Sequence, residues 1–215
     1  MKKLLATLIF LLGFATSGFA TTMAVDFTSP GFIQGPSLWS LGFKFQANNS
    51  VTVTGLGVFD AYQNGLNGIQ QVGLWDMQGN LLASTQVTTS DALQGFWRFR
   101  SLASSVTLTA GQTYYVASQG GEYYTYQTNG FTVNPNITYL QDSWNYRGHS
   151  SYTPLGFPSN STGITQSQGG GYFGANLEFA NPTSAQPSRV PEPTSVALLG
   201  VGLAGLVVRN RRKRG

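Results

Sequence analysis

The run at 51–59, VTVTGLGVF, alternates apolar with small or polar residues along its length. A period of two suits a strand with one buried face, whereas a helix repeats its faces about every 3.6 residues. The same alternation returns at 39–45 (WSLGFKF) and at 96–102 (FWRFRSL). In the latter, Trp97 and Phe99 share one face and Arg98 and Arg100 the other. Val106 with Leu108, and then residues 113–117 (TYYVA) after a turn at Gly111, continue the pattern, and a last strand is expected over 172–179. Residues 71–75 and 81–87 flank Asp76-Met77-Gln78-Gly79-Asn80. With Gly79 free to take positive φ, this predicts a hairpin with a loop of about three to five residues. Short strands between turn signals, with no helical period, predict an all-β domain: an antiparallel β-sandwich of jelly-roll or immunoglobulin-like type.

The chain contains no cysteine. Small exported domains often lean on disulfides, so this one must be held by its core alone, and roughly 165 residues can bury enough apolar surface for that. Thiol catalysis, cysteine-based zinc sites and redox switching are excluded with it. The net charge of +4 misleads, because the basic residues collect at the two ends. Between residues 21 and 188 only Lys44, Arg98, Arg100 and Arg147 face seven acids, Asp26, Asp60, Asp76, Asp91, Glu122, Asp142 and Glu178, a balance of −3. A nucleic-acid surface needs clustered basic residues on a folded face, and none is available.

From 118 to 171 the chain turns rich in Tyr, Gly, Ser and Asn, with Pro135, Pro154 and Pro158 interspersed, and it is expected as a long polar loop region. Aromatic rings can stack on the apolar faces of sugar rings, which marks Tyr124, Tyr126, Trp144, Tyr146 and Tyr152 as candidate glycan contacts. The competing reading has these rings pin the loop by packing on the sandwich. His149 is the only histidine, and one imidazole supplies neither a zinc site nor a triad in a loop without a nucleophile elbow. Seven scattered acids, most of them read as turn residues, show no paired-carboxylate spacing. A non-enzymatic protein without a cofactor is expected; calcium on loop oxygens is the one open alternative, though no Asp-x-Asp ladder is present.

The two ends carry the clearest instructions. Lys2 and Lys3 precede an apolar stretch over 4–14, and Gly18-Phe19-Ala20 offers a signal-peptidase site, so residues 1–20 are expected as a signal helix cut after Ala20. The Sec machinery and signal peptidase are its transient partners. The sandwich is expected over 21–180 and a proline-bearing linker over 181–189. The chain then closes with Val190-Pro191-Glu192-Pro193, an apolar run over 194–208 and a basic cluster of Arg209, Arg211, Arg212, Lys213 and Arg214. As a helix that run spans about 22 Å against a hydrocarbon core of about 30 Å, short for a lasting anchor. The basic cluster stays cytoplasmic under the positive-inside rule, leaving the domain outside. Pro191 and Pro193 keep the preceding segment extended, as a processing enzyme needs, and Glu192 is the only charge within it.

This order of motif, span and basic stop resembles the PEP-CTERM sorting signal. The resemblance implies recognition by a membrane-embedded exosortase with a Cys-His-Arg active site, cleavage near Pro-Glu-Pro, and delivery to the surface or matrix of an exopolysaccharide-producing bacterium. Residues 40–118 resemble an uncharacterised β-sandwich domain of bacterial surface and secreted proteins. The phrases Leu41-Gly42-Phe43-Lys44-Phe45, Val72-Gly73-Leu74-Trp75-Asp76 and Leu108-Thr109-Ala110-Gly111-Gln112-Thr113-Tyr114-Tyr115-Val116 carry that likeness. Gln70 and Gln71 stand where that family often has a histidine. This second likeness implies a fold and attaches no catalytic residue. Two functions are therefore expected: a non-enzymatic surface or exopolysaccharide-matrix protein, or a carbohydrate-binding module on the same route.

Overall fold

The computed structural model describes residues 21–35, 39–119, 122–146 and 155–180. The signal segment through Ala20, the loop residues His149 and Tyr152, the linker, the motif 190–193, the expected span 194–208 and the basic cluster all lie outside them.

The described residues form fourteen strands and one short 3₁₀ turn at Gln166–Gln168. The strands are β1 (Thr21–Met23), β2 (Val25–Asp26), β3 (Phe32–Gln34), β4 (Trp39–Ala47), β5 (Val51–Phe59), β6 (Gln70–Asp76) and β7 (Leu81–Val87). After them come β8 (Ala92–Gln94), β9 (Trp97–Leu108), β10 (Thr113–Gln119), β11 (Tyr124–Tyr126), β12 (Thr132–Val133), β13 (Ile137–Tyr146) and β14 (Ala175–Ala180). Two five-stranded sheets, ordered β1-β14-β5-β9-β8 and β13-β4-β10-β6-β7, are antiparallel throughout. The all-β expectation therefore holds.

Period-two alternation decides which side chains meet between the sheets. On β4, Phe43 and Phe45 are fully buried, as are Val53 on β5, Leu74 on β6 and Leu177 and Phe179 on β14. Trp97 and Phe99 enter the same core from β9, as their pattern predicts. The hairpin joining β6 to β7 has Gly79 at φ 86°, and the Asp76 carboxylate caps it by accepting from the backbone N–H groups of Gln78 and Asn80, each at 2.9 Å. The Asn80 side-chain amide, followed by those backbone bonds, holds the Asp76 carboxyl below its ordinary pKa.

Three features depart from the sequence reading. The stretch 118–171 carries β11, β12 and the ten-residue β13, which pairs along β4. Its alternation is masked because Asp142 and Ser143 are buried polar residues in the middle of that strand. The final strand begins at Ala175, after Tyr172 takes positive φ. Several acids read as turn residues are buried structural groups: Asp60, Glu122 and Asp142.

The Asp60 carboxylate receives the Arg98 Nε–H at 2.8 Å and the Gly65 backbone N–H at 3.0 Å. The Arg98 guanidinium continues to the carbonyls of Thr89 and Asp91 at 2.8 and 3.0 Å. One buried ion pair thus joins the 60–65 loop, the 89–91 turn and β9. Asp60→Ala leaves Arg98 buried and uncompensated, an arrangement that costs about 3–5 kcal/mol. Urea unfolding should show a loss of that size, with Asp91→Ala, beside the more exposed Arg100, losing much less.

Candidate functional site

Two aromatic walls form at one end of the sandwich. Trp39, Leu41, Phe43 and Phe45 lie on one face of β4 by their spacing. The last two fill the core, while Trp39 is only partly buried. On β13, Trp144 pairs with Leu41 and Tyr146 with Trp39. The Trp39 ring meets Trp144 edge-on at 4.9 Å and Tyr146 at 4.6 Å. These three rings make the first wall.

The second wall depends on β11. That strand pairs with β3 on one side and bridges Phe173 on the other, Thr125 and Phe173 exchanging backbone hydrogen bonds of 3.3 and 2.8 Å. Thr125 is buried, and alternation puts Tyr124 and Tyr126 together on the opposite side. Their rings lie 6.1 and 6.0 Å from Tyr172, and Phe32, opposite Tyr126 in register, stacks on it at 5.3 Å. Burial, with the Tyr172 and Tyr126 phenols nearby, pushes the Tyr124 hydroxyl above its ordinary pKa and keeps it protonated at neutral pH.

Between the walls is a cleft of about 200 Å³, lined by Trp39, Leu41, Tyr124, Trp144, Thr162 and Tyr172. The segment that brings Thr162 to the cleft is pinned by Asp142. One carboxylate oxygen accepts from Ser161 Oγ and the Ile164 N–H at 2.9 and 2.8 Å, the other from the N–H and Oγ1 of Thr162, both at 2.9 Å. Tyr172 is held at φ 29°, a conformation non-glycine residues adopt at a cost of about 1–3 kcal/mol. The residues before it make that possible. Gly170 has φ 66°, and a Cβ there would lie 2.2 Å from the Phe173 ring. A Cβ on Gly171 would meet Asp142 at 2.8 Å, and its N–H donates to the buried Tyr139 hydroxyl at 3.1 Å.

Of the predicted glycan contacts, Tyr124 and Trp144 line this cleft, Tyr126 and Tyr146 stand behind them in the two walls, and Tyr152 lies outside the described residues. Trp39 and Tyr172 escaped the sequence reading. Trp39 looked like an ordinary strand residue, and the Gly-Gly-Gly-Tyr run at 169–172 was the available signal for a special backbone.

A second cavity of about 310 Å³ is lined by Asp60, Tyr62, Asn64, Glu122 and neighbours. Both Glu122 oxygens are occupied: one by the Asn67 backbone N–H, the other by the Asn67 side-chain amide at 3.2 Å and the Tyr123 N–H at 3.1 Å. Burial raises the Glu122 pKa, against the opposing pull of those backbone bonds, and the Asp60 carboxylate adds to the rise. With Asp60 engaged by Arg98, these carboxylates fasten loops. Among the described residues no three acidic or histidine side chains gather as metal ligands, and no helix is long and apolar enough to cross a membrane.

Comparison with known families gives two matches. The pattern described as a domain of unknown function (DUF4082) matches residues 32–185, from β3 through β14 and every residue of the cleft. The chain belongs to the DUF4082 family. The PEP-CTERM protein-sorting motif matches residues 189–213, which marks a DUF4082 protein exported and sorted to the cell surface, with an exosortase as its transient partner. No curated protein matches the chain. β1 and β2 precede the DUF4082 match and complete the fold: Asn176 on β14 accepts from the Val25 N–H at 3.2 Å and donates to its carbonyl at 2.8 Å.

Asp142→Asn places an amide N–H₂ where two donors already point. It should cost about 1–3 kcal/mol in urea unfolding, and increased protease cutting near 161–164 should accompany the loss. Glu122 gives a pH signature. Its folded pKa is raised, so its favourable contribution is complete below the ordinary value of 4.5 and is lost as pH rises through the higher folded value. The wild-type minus Glu122→Gln difference in urea midpoint should therefore decline with rising pH across that interval; a flat difference contradicts the assignment.

Proposed function

We propose that this protein is a non-enzymatic component of the cell surface or of an exopolysaccharide matrix, released toward its destination by exosortase cleavage near Val190-Pro191-Glu192-Pro193. The PEP-CTERM match carries this reading. The apolar run 194–208 then acts as a membrane helix in transit, and the basic cluster after it sets the orientation. Against an enzyme stand the full engagement of Glu122 and Asp142 in structural hydrogen bonds and the Asp60–Arg98 ion pair.

A second reading, a carbohydrate-binding module delivered by the same route, is favoured by one observation: Tyr124 and Trp144, twenty residues apart in sequence, line one aromatic cleft.

Intact-mass analysis of the surface fraction tests the sorting. The mature protein should begin at Thr21 and lack 194–215; a mass retaining that segment contradicts processing. Substituting Glu192→Ala, or deleting 209–214, should leave the protein trapped in the inner membrane, and normal delivery of both variants counts against exosortase handling.

A further inference from the structure

The cleft between the aromatic walls is more selective than a general sticky surface. Its volume of about 200 Å³ falls below the roughly 300–1,000 Å³ of sites that enclose drug-sized ligands, so it suits one small ring, not a length of chain. Trp39, Leu41, Tyr124, Trp144, Thr162 and Tyr172 bring no charge at neutral pH. The carboxylate bonded to Thr162, that of Asp142, spends both oxygens on residues 161–164.

Polar groups nonetheless remain for a ligand with hydroxyls. The Trp144 indole N–H is closed to water and so to a ligand as well, and only the ring of Trp144 is offered to the cleft. The Thr162 hydroxyl donates to Asp142 and keeps its own lone pairs for an incoming donor. Apolar ring walls beside a fixed hydroxyl acceptor match a pyranose, which presents apolar C–H faces and a rim of hydroxyl donors.

The walls are also fixed before any ligand arrives. Cross-strand pairing sets Trp39 against Trp144, and Tyr172 is locked by its strained backbone between Gly171 and the buried Phe173. Ordering costs on binding are correspondingly small.

We propose that this cleft binds a single uncharged sugar residue, at a chain end or branch of a neutral polysaccharide, between the Trp39–Trp144 pair and the Tyr124–Tyr172 pair. The inference rests on the carbohydrate-binding reading above and specifies its site and ligand class.

The test uses the full chain purified in detergent. Methyl glycosides of glucose, galactose, mannose and N-acetylglucosamine are the probes, with glucuronate and choline beside them. Binding is read by tryptophan fluorescence and saturation-transfer NMR. Gel retardation in the host's own polysaccharide is run in parallel. At least one neutral methyl glycoside should give a saturable change, with none from glucuronate or choline. Trp39→Ala should weaken it about tenfold, equivalent to about 1.4 kcal/mol. Tyr124→Phe, which keeps the ring and the fold and removes only the hydroxyl, should weaken it a fewfold. A choline signal without a sugar signal makes the cleft a cation cage and overturns the proposal. Retardation by polysaccharide with no glycoside signal, or undiminished in folded Trp39→Ala and Tyr124→Phe, also overturns it but leaves the carbohydrate-binding reading standing. No retardation and no glycoside signal remove both.

Discussion

Phe173 is the residue on which the sandwich and the cleft both turn. Fully buried, it meets Phe27, Phe43, Trp97, Phe131 and Tyr139 at centroid separations of 5.0–6.4 Å. These rings come from both sheets and from the connections between them, so one side chain gathers contacts that a disulfide-bearing domain would distribute over crosslinks. Tilted and edge-on aromatic pairs add about 0.5–1.5 kcal/mol each beyond their buried area. Because Tyr172 is the preceding residue, seating Phe173 in the core also fixes a wall of the cleft. The strain at Tyr172 is sustained by that burial.

Buried polar groups complete what the rings leave open. Asn176 imitates a strand backbone for Val25, Asp142 satisfies four donors of the 161–164 segment, and the Tyr139 hydroxyl accepts from Gly171. Each replaces backbone pairing that an irregular segment cannot make for itself, and each has its hydrogen bonds made. The buried Asp60–Arg98 pair does the same for the 60–65 loop and the 89–91 turn, while the hairpin from β6 to β7 carries the local Asp76 cap.

Where a strand keeps its alternation, the sequence reveals it. Trp97 and Phe99 in the core, Arg98 and Arg100 on the opposite face, and Gly79 at the turn are all visible in the letters, whereas the burial of Arg98 against Asp60 is not. β13 was hidden because Asp142 breaks the hydrophobic pattern, and only its long-range partners, Ser161 to Ile164, explain why a carboxylate can be buried there. Two of the four rings lining the cleft were equally legible: Tyr124 and Trp144 stand out as aromatics in a polar stretch. Trp39 could not be assigned, since it joins the cleft through register with Tyr146, about a hundred residues away in the chain. Tyr172 belonged by pattern to a strand, and its departure follows from the three glycines before it.

The topology bears on sorting as well. β14 inserts between β1 and β5, so the first sheet is incomplete until residue 180 is free to pair. On the proposed route the run 194–208 sits in the membrane during processing, and only residues 181–193 separate it from β14. Thirteen extended residues reach at most about 45 Å. The proline-bearing composition of 181–193 favours such extension and resists helix formation, which would shorten the reach to about 20 Å. The segment that presents Pro-Glu-Pro to an exosortase is then also the spacer that allows the last strand to close the sheet beforehand. Both demands fall on residues 181–193, because that segment is all that lies between the last strand and the expected span.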